Sequence, residues 1–128
     1  MSAGMLEHVN ITVANAKRTA DLACRLFDWR IRWQGSGLGG AGISIHVGSD
    51  DSYVAIYQPN SGTREGISNY EQTGGLNHIG VVVDDLDAAE VRVKAEGLTP
   101  RSHGDYEPGK RFYFDDPNGI EWEVVSYG

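Results

Sequence analysis

At 128 residues, with eleven basic and eighteen acidic side chains and a net charge of −7, the chain is sized for one compact domain and would repel a nucleic-acid backbone. Its 40% apolar and 23% charged residues are ordinary for a globular protein, and no run of about eighteen apolar residues is present to cross a membrane. The opening M-S-A-G-M-L-E-H lacks the basic and apolar regions of a signal peptide, so a cytoplasmic location is expected, and the single cysteine, Cys24, can make neither an internal disulfide nor a two-cysteine metal clip.

The first element is L-E-H-V-N-I-T-V, Leu6 to Val13, whose alternation predicts a half-buried strand. Asn15 then serves as N-cap of a helix through Asp28, with Ala20, Ala23, Cys24 and Phe27 at helical spacing and Leu22 and Leu26 alongside; that spacing assigns Cys24 to core packing. Strands follow at Arg30–Trp33, Gly42–Val47 and Tyr53–Tyr57, separated by glycine-rich or G-S-D-D turns. The seventeen residues from Pro59 to Gly75 have no clear period and read as a lid or linker.

The second half repeats the order. L-N-H-I-G-V-V-V, Leu76 to Val83, returns the template of the first strand with its histidine seventy positions on, making His8 and His78 equivalent. A helix capped by Asp84 or Asp85 closes at Gly97, and strands follow near Leu98–Arg101, Arg111–Phe114 and Ile120–Tyr127, the last two joined by D-D-P-N-G. The predicted fold is therefore α+β: two βαβββ modules, about 5–58 and 75–128, joined by a loop over 59–74. They are expected to form a single domain shaped as an open, curved eight-stranded cup. His103, in S-H-G-D-Y-E-P-G-K, is assigned to a solvated loop.

Residues two apart in a strand share a face. His8, Asn10 and Thr12 therefore oppose a core row of Val9, Ile11 and Val13, while His78, Gly80 and Val82 oppose Ile79, Val81 and Val83. In the last strand Ile120, Trp122 and Val124 form the core row, leaving Glu121, Glu123 and Val125 opposite. Laying Tyr53–Gln58 over Glu121–Ser126 makes Ala55 the counterpart of Glu123. Of the four related positions, His8, His78 and Glu123 can bind a metal and Ala55 cannot. Two imidazoles and a carboxylate with open positions suit Fe(II), Mn(II) and related divalent ions better than a closed structural zinc site.

L-E-H-V-N-I-T-V, L-N-H-I-G-V-V-V-D-D-L-D and R-F-Y-F-D-D-P-N-G-I-E-W-E together resemble the vicinal oxygen chelate superfamily, which includes glyoxalase I, methylmalonyl-CoA epimerase, extradiol dioxygenases, fosfomycin-modifying enzymes and the bleomycin-resistance proteins. The resemblance runs from Leu6 to Tyr127 and implies that His8, His78 and Glu123 directly ligate a divalent ion (Fe, Mn, Ni, Zn or Co). It also implies a homodimer that takes a small-molecule substrate. Ala55 departs from the four-ligand pattern of glyoxalase I and the epimerase. The chain also ends five residues after Glu123, before the phosphonate-binding residues with which the fosfomycin branch continues.

The leading expectation is a metal-dependent enzyme of glyoxalase-like lyase or isomerase chemistry, acting on a molecule that chelates the metal through two neighbouring oxygens. The alternatives are an extradiol-type dioxygenase and a non-catalytic antibiotic-binding module, the last favoured by an acidic surface that attracts cationic drugs. Proton transfer is assigned to Tyr113, Glu121, His46 or a metal-bound water. Tyr53 and Tyr57 flank Ala55 and either shape the pocket or only fill it, and the loop from Pro59 to Gly75, with Arg64 and Tyr70, is expected to hold much of the specificity. The run Gly35–Gly42 lacks the helix and the lysine that a phosphate cradle needs, and reads as a hairpin loop.

Overall fold

The computed structural model describes residues 2–65, 70–106 and 108–128; the part of the expected specificity loop at 66–69 lies outside them. It divides into two compact units, Met1–Arg64 and Glu65–Gly128, each a βαβββ module with one open four-stranded sheet, so the predicted α+β class and the strand order of both halves hold.

In the first unit β1 (His8–Thr12), α1 (Ala16–Phe27), β2 (Arg30–Ser36), β3 (Ile43–Gly48) and β4 (Tyr53–Gln58) build a sheet of order β1-β4-β3-β2. β1 runs parallel to β4 and the remaining pairs are antiparallel. The side chain of Asn15 accepts the backbone N–H of Arg18 and caps α1, and Asp28 ends it in the left-handed conformation. Ala16, Thr19, Ala20, Ala23 and Leu26 bury one stripe of α1 over the sheet, against Ile45, Val47, Val54 and Ile56. Cys24 is only half-buried, because it stands at the margin of that stripe rather than in the core. The glycine-rich run makes the β2–β3 loop with a single 3₁₀ turn, Leu38–Gly40. Glycine is required at position 37, where a Cβ would come within 2.4 Å of the Tyr57 ring.

In the second unit β5 (Ile79–Val82), α2 (Leu86–Ala95), β6 (Arg101–Tyr106), β7 (Gly109–Asp115) and β8 (Glu121–Ser126) repeat the arrangement in the order β5-β8-β7-β6. Asp85, not Asp84, caps α2 through the N–H of Ala88. The core under α2 holds Phe112, Phe114, Trp122 and Val124, each at most 3% exposed. Burying each of the two phenylalanines contributes about 1.5–3 kcal/mol.

Two placements differ from expectation. Both histidine-bearing segments enter their strands later than the alternation suggests: β1 starts at His8 and β5 at Ile79, so His78 stands just before its strand. β6 lies at Arg101–Tyr106 rather than Leu98–Arg101, and its register shifts between Arg101 and Gly104 around Ser102, whose φ is 55°. His103 is accordingly a strand residue and not a loop residue. Its Nε2 meets Glu90 of α2 at 2.7 Å, which turns it toward the helix-covered side of the sheet.

Candidate functional site

Register fixes which side chains share the face away from the helices. In the first sheet His8 is opposite Tyr53 and Ala55 is opposite both Asn10 and His46. In the second sheet Glu123 is opposite both Gly80 and Tyr113. His46 and Tyr113 are therefore equivalent positions of the two modules, as are Ala55 and Glu123.

On the first unit this face carries a row of rings. Tyr53 stacks on the His8 imidazole at 4.8 Å and on the His46 imidazole at 4.5 Å, and Trp33, half exposed, leans on His46 at 4.9 Å. The guanidinium of Arg32 lies 4.7 Å from the Tyr53 ring. Glu7 accepts from His8 Nδ1 at 2.9 Å and from the Tyr53 hydroxyl at 3.3 Å. Burial, with the nearby charges of His8 and Arg32, pushes His46 below the usual imidazole range, so His46 is neutral at neutral pH and can accept a proton. Ala55 is 2% exposed and offers no donor atom.

On the second unit the polar side chains form one connected network. His78 Nε2 stands 3.1 Å from Glu123 Oε2, and Arg111 Nη1 donates to the other oxygen of Glu123 at 2.8 Å. The Tyr70 hydroxyl is 3.2 Å from His78 Nδ1 and donates to Glu121 in a short hydrogen bond. Arg101 Nη2 bridges Glu121 and Asp115, at 2.7 Å to each. The Tyr113 ring meets the His78 ring edge-on at 5.7 Å.

The proton positions follow from this network. Tyr70 gives its only hydrogen to Glu121, so its oxygen can accept from His78 Nδ1, while His78 Nε2 faces the Glu123 carboxylate. The bond to Glu121 is also the main reason the Tyr70 hydroxyl is pushed up to about 12. Burial raises the Glu121 carboxyl, but hydrogen bonds from Tyr70 and Arg101 outweigh it and hold Glu121 below its ordinary 4.5. Both oxygens of Glu121 are thus occupied, and the group works as an anchor for Tyr70 and His78. Burial and the charge of Glu123 push the Tyr113 hydroxyl up, so it remains a proton donor at neutral pH.

The depressed Glu121 value has a testable sign. Folding favours its ionised form, so the stabilisation is complete above 4.5 and is lost as the pH falls through the lowered folded value. Glu121→Gln is expected to flatten this part of the acid limb of a melting-temperature profile. An unchanged difference between wild type and variant from pH 7 to pH 3 would contradict the assignment.

Two donors bound at right angles to one ion at about 2.1 Å stand about 3 Å apart, and His78 Nε2 and Glu123 Oε2 have that separation. The Tyr70 oxygen beside Nδ1 also suits a ligand imidazole, whose second nitrogen characteristically donates to a fixed acceptor. Within neither unit do three His, Cys, Asp or Glu side chains among the described residues gather closely enough to hold a metal ion. The donor pair of the second unit fits a divalent cation and leaves further ligands to come from elsewhere. Sequence reasoning found His78, Glu123, Glu121 and Tyr113 on one face. It missed Arg101 and Arg111, although Arg111 shares the strand parity of Tyr113.

The sequence profile of the Glyoxalase/Bleomycin resistance protein/Dioxygenase superfamily matches residues 5–124. No curated protein sequence matches the chain. Among solved structures, a glyoxylase/bleomycin resistance protein/dioxygenase domain from Frankia sp. EAN1pec is similar at 19% identity, with 99% of this chain and 100% of that one covered and a TM-score of 0.82. The fosfomycin resistance protein FosX from Mesorhizobium loti is similar at 24% identity, with coverages of 97% and 92% and a TM-score of 0.73. A FosX variant from Listeria monocytogenes, complexed with Mn(II) and 1S,2S-dihydroxypropylphosphonic acid, is similar at 20% identity, with coverages of 98% and 90% and a TM-score of 0.69. At these identities the structural likeness concerns the fold, while the match over 5–124 fixes the family: the chain belongs to the Glyoxalase/Bleomycin resistance protein/Dioxygenase superfamily.

Proposed function

We propose that the chain is a divalent-metal-dependent enzyme of lyase or isomerase type, acting on a small molecule that presents two neighbouring oxygens. The observation that carries this reading is the approach of His78 Nε2 and Glu123 Oε2 to 3.1 Å, with the Tyr70 oxygen 3.2 Å from His78 Nδ1. His8, the equivalent of His78 in the internal repeat, is the third ligand of this reading. A divalent ion held there supplies Lewis-acid polarisation of the substrate oxygens. Tyr113 donates a hydrogen bond to the oxygen that gains negative charge, and His46, kept neutral by burial, accepts the proton. Glu121 orients His78 through Tyr70. Function as a cytoplasmic homodimer belongs to the same proposal.

Elemental analysis of protein purified without chelator tests it. Near-stoichiometric divalent metal, or stoichiometric uptake by stripped protein, is the expected result, to be followed by a screen of vicinal-oxygen compounds on the metal found. Protein that neither carries nor takes up metal overturns the reading.

One observation favours a second reading. The row Trp33–His46–Tyr53–His8 offers stacked rings with a half-exposed indole at its end, a surface suited to holding a flat ligand without chemistry. Calorimetry of metal-stripped protein with a bleomycin-like ligand separates the two readings, because tight binding that needs no metal and is lost in Trp33→Ala belongs to the second.

A further inference from the structure

Arg111 is bonded on one side only. Nη1 donates to Glu123, but Nε and Nη2 are buried and have no hydrogen-bond partner among the described residues. The hydrogens of Nε and Nη2 point the same way along one edge of the planar guanidinium, so the two orphaned atoms make up a complete two-donor fork. A guanidinium does not shed its charge by deprotonating, and charged donors left dry and unpaired are costly. That cost has a use when a ligand satisfies the fork.

The surroundings match this role. Arg111 lies one alternation from Tyr113 in β7 and bonds Glu123, so it belongs to the face that holds the His78–Glu123 pair. The Tyr106 ring packs 4.8 Å from the guanidinium carbon and yet is 59% exposed. It crosses Gly104, where a Cβ would come within 2.4 Å of the ring. Glycine at 104 lets the ring lie flat against the sheet beside Arg111, and its exposure leaves it room to swing away.

We propose that the Nε–Nη2 edge of Arg111 receives an oxyanion of the bound small molecule, a carboxylate or phosphate group that presents two oxygens to the fork, with Tyr106 as the movable cover. This deepens the reading of this face as a small-molecule site and does not depend on the metal. It makes the substrate an anion, against the sign of the chain's net charge, and Arg111 the residue that selects for it. The nearby Glu123 charge opposes a second anion, so a bare oxyanion is expected to bind in the millimolar range.

The test uses chelator-treated, nitrogen-15-labelled protein at constant ionic strength. The Nε–H signal of Arg111 is assigned by its loss in Arg111→Lys and followed through separate titrations with acetate and inorganic phosphate, with chloride as control. A saturable shift with at least one of the two is expected, and the stronger of them identifies the group. Arg111→Lys keeps the charge but not the fork and is expected to weaken that binding roughly tenfold or more, read on the backbone amide of Tyr113. Shifts that match chloride, or saturation unchanged in Arg111→Lys, overturn the proposal. Since metal is absent throughout, failure here leaves the metal reading standing, and failure to load metal leaves this result standing.

Discussion

Replacing Asp116 with alanine is expected to cost the second unit about 3 to 5 kcal/mol, although the residue touches none of the candidate catalytic groups. Asp116 is 6% exposed and its carboxylate is fully used. Oδ1 accepts the backbone N–H of Asn118 at 2.8 Å and of Ile120 at 3.1 Å, and Oδ2 accepts the indole N–H of Trp122 at 3.0 Å. The backbone closes the same turn, with Asp116 N donating to Ile120 O and Gly119 N to Asp116 O, both at 2.9 Å. Alanine removes the carboxylate that accepts from these three donors, one of them on a tryptophan only 3% exposed. Asparagine keeps one oxygen and sets its amide nitrogen against a donor, so Asp116→Asn should fall between wild type and alanine. Denaturant unfolding followed by far-ultraviolet circular dichroism measures both, and a loss below about 1 kcal/mol for alanine would show that the turn forms without its carboxylate.

That aspartate explains why the D-D-P-N-G signature was legible as a turn but not as a support for the site. The turn delivers β8 to β7 in the register that sets Glu123 opposite Tyr113 and Glu121 opposite Asp115. A slip of one residue would carry both glutamates to the core face. Period-two alternation thus gave the two faces correctly from sequence, because one row of each strand must be buried: Ile11 and Val13, Ile79 and Val81, and Phe112 and Phe114 are all under 9% exposed. The histidine repeat was equally plain, with His8 at the start of its parallel pair and His78 just before its own.

Other features left no local signal. β6 was expected too early because Ser102, Gly104 and Pro108 read as turn chemistry, whereas the strand accommodates the first two through its shifted register and a positive φ. The role of Tyr70 depends on a loop bringing its hydroxyl to residues eight and fifty-one positions away, a placement no periodicity predicts. Arg111 carries no local signal in the sequence beyond its place in the strand. Its parity with Tyr113 puts it on the site face, but only the folded structure reveals that one edge of its guanidinium is satisfied and that the other has no partner among the described residues.

The largest functional effect is expected at Glu123. Glu123→Ala should lower divalent-metal affinity by roughly a hundredfold or more, since removing even an outer partner of a metal ligand costs about 10- to 100-fold. Alanine, however, also strips Arg111 of its one acceptor among the described residues, so lost binding in that variant alone confuses ligation with local collapse. Glu123→Gln resolves the two, because its amide oxygen can still accept from Arg111 Nη1 while the side chain no longer offers His78 an anionic companion. The expected pattern is a metal-free melting temperature for Glu123→Gln close to wild type, a lower one for Glu123→Ala, and a severe loss of metal affinity in both, measured by competition with a chelator of known strength. His78→Ala should match them in affinity. If Glu123→Gln binds metal as wild type does, Glu123 serves to hold Arg111 in place, and the ligands must be sought among the other groups of the face.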